Sequence, residues 1–159
     1  DVPLALGPVL ALVALTFAVW IRMYVVRIGA MRRHRIHPQR LQRVAGELPP
    51  EILGSGDNFR NLCELPVLFY AAVFAALELG AVDGAFLALA WSFVALRAVH
   101  SAIHLGYNRV MHRFYAYAAG GLVLWVLWAR LGCVLLALAA DVLLAGLERL
   151  LTPWTRAAT

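Results

Sequence analysis

The chain has 159 residues, of which 63% are apolar and 14% charged, with a formal charge of +5. Soluble domains usually carry about a quarter charged residues, and a soluble fold of this length has too little interior to hide so much apolar surface. Residues 1–159 therefore read as a single integral membrane domain with no soluble domain attached.

The first predicted span covers about residues 3–26, close to the roughly 20 apolar residues that cross a bilayer. Residues 2–21 are too long and unbroken for a signal-peptide core, and Pro8 sits near the outer end, where a missing amide does little harm. Arg22 and Arg27 close this span, and Arg32, Arg33 and Arg35 follow. The fourteen bases are all Arg, and eight of them lie between Arg22 and Arg60. Their place beside helix ends is a positive-inside signature and argues against a nucleic-acid partner. The absence of Lys favours a bacterial source, so the expected location is the inner membrane, with the arginine-rich end facing the cytoplasm.

The stretch up to Asn58 reads as loop, broken at Leu48-Pro49-Pro50 and at Gly54-Ser55-Gly56, with a short interfacial helix around Arg40 to Ala45. The second span is expected over residues 58–79, with Asp57 or Asn58 as its N-cap. Pro66 inside it favours a kink. Arg60, Asn61 and Glu64 lie at its start, with Asn61 and Glu64 on one helical face. A carboxylate there needs a partner, either a ligand ammonium or, as an internal brace, Arg97.

The third span covers residues 84–105, and the short turn before it forces an antiparallel hairpin. Arg97, His100 and His104 fall on one stripe near its end. The i, i+4 histidines have the spacing of a metal pair, but no third histidine lies at mid-depth, so interhelical hydrogen bonding is the simpler role and no metal is expected. Cys63 and Cys133 have no paired spacing and read as buried small residues.

After Tyr107 and Asn108 comes the fourth span, over residues 114–134. Arg109 and Arg113 precede or open it, with His112 between them. Cations at a helix N-terminus oppose the macrodipole, so they serve something other than helix stability: headgroup anchoring, or an anion in a pocket. Gly132 is the expected break before a C-terminal helix over residues 135–151, read as an extension, an interfacial helix or a fifth span with Asp141 near its centre. Up-down threading gathers the strongly polar residues of all four spans at one end of the bundle. Buried ionisable groups so collected are a functional site by default.

The Arg-rich exit from span one, Arg60-Asn61-x-x-Glu64 followed by Pro66, Arg97-x-x-His100, and Arg109-x-x-x-Arg113 together resemble the MAPEG superfamily, the membrane-associated proteins in eicosanoid and glutathione metabolism. The likeness covers roughly residues 15–130. It implies an all-α homotrimer of four-helix subunits, with glutathione as co-substrate held between neighbours. The resemblance assigns Arg113 to the thiolate and Glu64 and Asn61 to the peptide, with Arg60 and Arg97 framing its charges. His100, His104, Tyr107, Asn108 and Arg109 are further candidates for substrate binding. The chain departs from the pattern at Leu65, where family members often have Tyr, and at Asp57, where several have Arg. The implied activity is glutathione transfer or peroxidase chemistry on a lipophilic molecule arriving from the bilayer. The alternative is a non-catalytic, trimeric lipid-binding or scaffold protein of the same fold.

Overall fold

A computed structural model describes residues 2–37 and 50–151. Its elements are four helices: α1 Val2–Arg33, α2 Pro50–Glu78, α3 Gly84–Leu105 and α4 Val110–Leu151. All four are long and apolar enough to cross a membrane, and the protein is an all-α integral membrane bundle. α1 packs chiefly on α2, and α3 on α4. The interfacial helix expected around Arg40 to Ala45 lies outside the described residues.

α1 and α2 stop where the sequence supplies a left-handed residue. Gly80 has φ 60°; Ala81 N–H donates to the Ala76 carbonyl and Gly80 N–H to that of Leu77, which satisfies the last carbonyls of α2. Arg35 ends α1 in the same way, with φ 52° and the Ile36 N–H on the Met31 carbonyl. Asp83 caps α3, its Oδ1 accepting the Phe86 N–H at 2.7 Å. Its Oδ2 takes a 2.7 Å ion pair from Arg130, which ties the α2–α3 turn to α4 at the end of the bundle opposite Arg97 and Arg113.

The core is shared by all four helices, with Leu12 and Val19 of α1 and Leu124 and Leu127 of α4 buried in it. Phe69 stacks on Phe93 at 4.8 Å, and Ala72, Ala76 and Ala90 are fully buried. Small residues at such interfaces let membrane helices approach closely.

Four expectations are corrected. α1 continues through Arg32 and Arg33 instead of ending near Val26; Arg is a good helix former, and cations suit a helix C-terminus. α2 starts at Pro50, so neither Asp57 nor Asn58 caps it. Ile52, Ser55 and Asn58 are buried there, and packing outweighs the low propensity of two glycines. Those glycines allow close contact: a Cβ on Gly54 would sit 3.9 Å from His104 Cε1, and one on Gly56 would sit 3.9 Å from Arg27 Nη2. As the expected span over residues 58–79 requires, α2 runs on through Pro66.

The third correction concerns α4, one unbroken helix of 42 residues. A single Gly costs about 1 kcal/mol in a helix, too little at Gly132 to interrupt its Leu- and Ala-rich surroundings. Of the readings offered for residues 135–151, the helical extension holds: the segment continues α4 without a break and is neither a separate interfacial helix nor a fifth span. Fourth, Cys63 and Cys133 are exposed on the outer surface of the chain. Each falls on a helix face turned away from the core.

Candidate functional site

The site is built at the junction of α3 and α4. The intervening turn closes with Asn108 N–H on the Ile103 carbonyl. Asn108 adopts φ 49°, a left-handed conformation that Asn tolerates better than most residues. This turns its side chain toward the first turn of α4, where Asn108 Oδ1 accepts from Arg113 Nη1 at 3.0 Å. The same nitrogen is 3.0 Å from His104 Nε2. A guanidinium only donates, so Nε2 of His104 carries the lone pair. Arg113 Nη2 and Nε make no hydrogen bond among the described residues, which leaves three N–H donors for a ligand.

His100 bridges all three helices of the site. It is 2% exposed. Its Nδ1 donates to the Arg113 carbonyl at 3.0 Å, which fixes Nε2 as the acceptor for Asn61 Nδ2 at 3.4 Å. The ring is thus held as one neutral tautomer by α2 and α4 together. Asn61, His100, Arg113 and Tyr117 line a cavity of about 250 Å³, open beside Phe114. His100 and His104 lie 5.9 Å apart by ring centroid. Among the described residues no three His, Cys, Asp or Glu side chains group to hold a metal ion.

Arg97 lies one turn behind His100 and is fully buried. Its guanidinium sits 4.7 Å from the centre of the Tyr117 ring, and among the described residues none of its three side-chain nitrogens has a hydrogen-bond partner. A buried cation over an aromatic face gains perhaps 2 kcal/mol, less than the several kcal/mol that desolvating an ion costs. The expected brace between Glu64 and Arg97 is not formed. Glu64 instead lies on the exposed face of α2, as does Arg60. Arg109 and Tyr107 are exposed as well, with Tyr107 Oη 3.0 Å from His112 Nδ1.

The structure therefore brings together Asn61, Arg97, His100, His104, Asn108 and Arg113. It leaves Arg60, Glu64, Tyr107 and Arg109 on the surface, outside the cavity. Three contributors were not singled out as site residues from the sequence. Tyr117 is one helical turn after Arg113, an i, i+4 relation that was there to be read. Asn58 is fully buried and accepts from the Ser101 hydroxyl at 3.3 Å, beneath the two histidines. Neither Asn58 nor Ser101 carries a sequence signal beyond its polarity inside a span.

Comparison with curated proteins and with solved structures finds no match for the chain. Among protein families, the MAPEG family matches it over residues 5–133.

Proposed function

Starting from a chain that belongs to the MAPEG family, we propose that it is a membrane glutathione transferase or peroxidase in which Arg113 stabilises the thiolate. The observation that carries this reading is the tethering of Arg113. One of its terminal nitrogens is fixed by His104 and Asn108, while the rest of its guanidinium borders a cavity shared with Asn61, His100 and Tyr117. A free thiol has a pKa near 8.5, and lowering it by one unit takes about 1.4 kcal/mol. One pre-positioned guanidinium beside the sulfur is of the right strength.

The site is incomplete in a single chain. A cavity of about 250 Å³ falls short of the roughly 300–1,000 Å³ typical of ligand pockets. Glu64 is exposed on a spanning helix, where a carboxylate facing lipid is costly. A neighbouring copy covering α2 and the start of α4 supports both, and agrees with a homotrimer whose glutathione lies between subunits. Glu64 and Asn61 then orient the peptide, and Arg60, Arg97 and Arg109 meet its carboxylates. The acceptor is a lipophilic electrophile or hydroperoxide entering from the bilayer, and the site faces the cytoplasm of a bacterial inner membrane.

The second reading, a non-catalytic trimeric scaffold or lipid-binding protein, draws on one observation: two of the Arg113 N–H donors are already engaged by the protein itself. Titration calorimetry with glutathione on the detergent-solubilised protein, paired with the ultraviolet thiolate difference spectrum, separates the two. Binding with thiolate formation near neutral pH is expected of the enzyme. No heat at millimolar glutathione from an intact oligomer would leave only the scaffold.

A further inference from the structure

Reducing a hydroperoxide asks more of a site than holding a thiolate. When the oxygen–oxygen bond breaks, the departing oxygen leaves as a strongly basic alkoxide. A positioned side chain is the efficient source of its proton. Conjugation by displacement of a halide needs no such donor.

The cavity beside Arg113 is lined by Asn61, His100, Val110, Phe114 and Tyr117. Asn61, Val110 and Phe114 are not acids. Arg113 cannot be deprotonated in a protein. His100 is held as a neutral ring with a single N–H, and that N–H is engaged by the Arg113 carbonyl at 3.0 Å. Tyr117 is different. Its hydroxyl makes no hydrogen bond among the described residues and is not shut away from solvent.

Tyr117 is also well placed. It follows Arg113 by one turn of α4, a spacing that sets Cβ atoms about 5–6 Å apart. Long helical side chains lean toward the N-terminus, over the preceding turn, so Tyr117 leans over Arg113. Its ring packs against the guanidinium of Arg97, 4.7 Å from the ring centre, and against His100, 5.7 Å away by ring centroid. A fixed positive charge on the face of the ring favours the negative charge that appears on the phenol as its proton leaves. Val110 and Phe114 offer an apolar wall to the rest of the substrate.

On the glutathione reading of this cavity, on which the inference rests, we propose that Tyr117 is the proton donor and that the favoured acceptor is a lipophilic hydroperoxide. The thiolate beside Arg113 attacks the outer peroxide oxygen. The sulfur–oxygen bond forms as the oxygen–oxygen bond breaks, sulfur gives up two electrons, and the departing alkoxide takes the Tyr117 proton. The products are an alcohol and glutathione sulfenic acid, which a second glutathione converts to the disulfide and water. The proton lost by the first thiol returns to the phenolate through solvent.

Tyr117→Phe, which removes only the hydroxyl, tests this on the detergent-solubilised protein with glutathione and two acceptors. Turnover of cumene hydroperoxide should fall about 10²-fold, the lower end of what general acid catalysis contributes. Turnover of chlorodinitrobenzene, whose chloride leaves without a proton, should fall far less, and the thiolate difference spectrum should persist. Equal losses with both acceptors would make Tyr117 a structural or binding residue, and an undiminished hydroperoxide rate would dismiss it as the donor. Either result overturns the proposal while the thiolate spectrum keeps the glutathione reading standing, as does a wild type that conjugates but reduces no hydroperoxide. A wild type that forms no thiolate with glutathione overturns both. Should the variant fail to fold, the wild type in deuterium oxide decides: hydroperoxide turnover should slow and conjugation should not, and an equal effect on the two would refute the donor.

Discussion

Arg113 and His104 are joined by a 3.0 Å hydrogen bond from Nη1 to Nε2, although they lie on different helices and approach from opposite sides of a turn. The bond fixes one end of the guanidinium and sets which nitrogen of the imidazole carries a proton. The bond from His100 Nδ1 goes to the backbone carbonyl of Arg113 and is independent of that side chain. Arg113→Ala should therefore leave the α3–α4 junction intact and the protein folded while the proposed turnover falls by about 10²-fold or more, the usual scale for removing one donor to a developing anion. Arg113→Lys should recover part of the thiolate spectrum but not the wild-type rate. Turnover at the wild-type level in Arg113→Ala would end the thiolate assignment.

Asn108 separates backbone from side-chain effects. Its φ of 49° costs an ordinary L-residue about 1–2 kcal/mol, and its Oδ1 holds Arg113. Asn108→Gly keeps the turn and loses the tether; Asn108→Ala loses both. The Ala variant should be less stable than the Gly variant by about 1 kcal/mol, with both showing the same raised thiol pKa. Chemical denaturation and thiol titration read the two quantities separately, and equal stability of the two variants would refute the strain.

The four spans and the gathering of polar residues at one end were legible in the sequence because apolar runs and charge asymmetry are local signals. The pairings at the site were not. Glu64 and Arg97 look like partners in a one-dimensional reading, yet α2 turns Glu64 outward while α3 turns Arg97 into the core. The phase of one helix relative to another depends on packing of residues such as Phe69 against Phe93, which spacing does not encode. The early start of α2 was missed for a related reason. Gly54 and Gly56 read as breakers, and their use in letting α2 approach His104 and Arg27 is visible only once the helices are side by side.

Arg97 offers a test of where the site finds its charge balance. A buried guanidinium without hydrogen bonds is a net cost, and replacing buried ions by apolar residues of similar volume is often neutral or stabilising by about 1–4 kcal/mol. Arg97→Met should raise the melting temperature of the unliganded protein and abolish the further rise caused by glutathione. A drop in melting temperature without ligand would mean that an anion already neutralises Arg97 in the resting protein.

Asp83 gives the pH dependence at the other end of the bundle. The Phe86 N–H, and after it Arg130, hold its carboxyl below the usual carboxylate range. A depressed folded pKa stabilises the protein above the unfolded value, and that contribution disappears as pH falls through the folded one. Asp83→Asn retains a capping side chain but cannot ionise. The variant should be less stable than wild type at neutral pH, with the gap narrowing below about pH 4 and closing under more acid conditions. A gap independent of pH would show that the Arg130 pair contributes nothing.

The pairing of Arg130 with Asp83 also marks the height on α4 at which packing gives out, Leu131 being the last buried residue among those described. The helix nevertheless runs on to Leu151, about 30 Å further at 1.5 Å per residue, with Leu136, Val142, Leu143 and Leu144 each at least 65% exposed. A greasy mast of that length cannot stand bare in water. The detergent collar around the purified particle, measured by small-angle scattering, must therefore climb well above the level of Arg130, and cutting the chain just after Leu131 should shorten it.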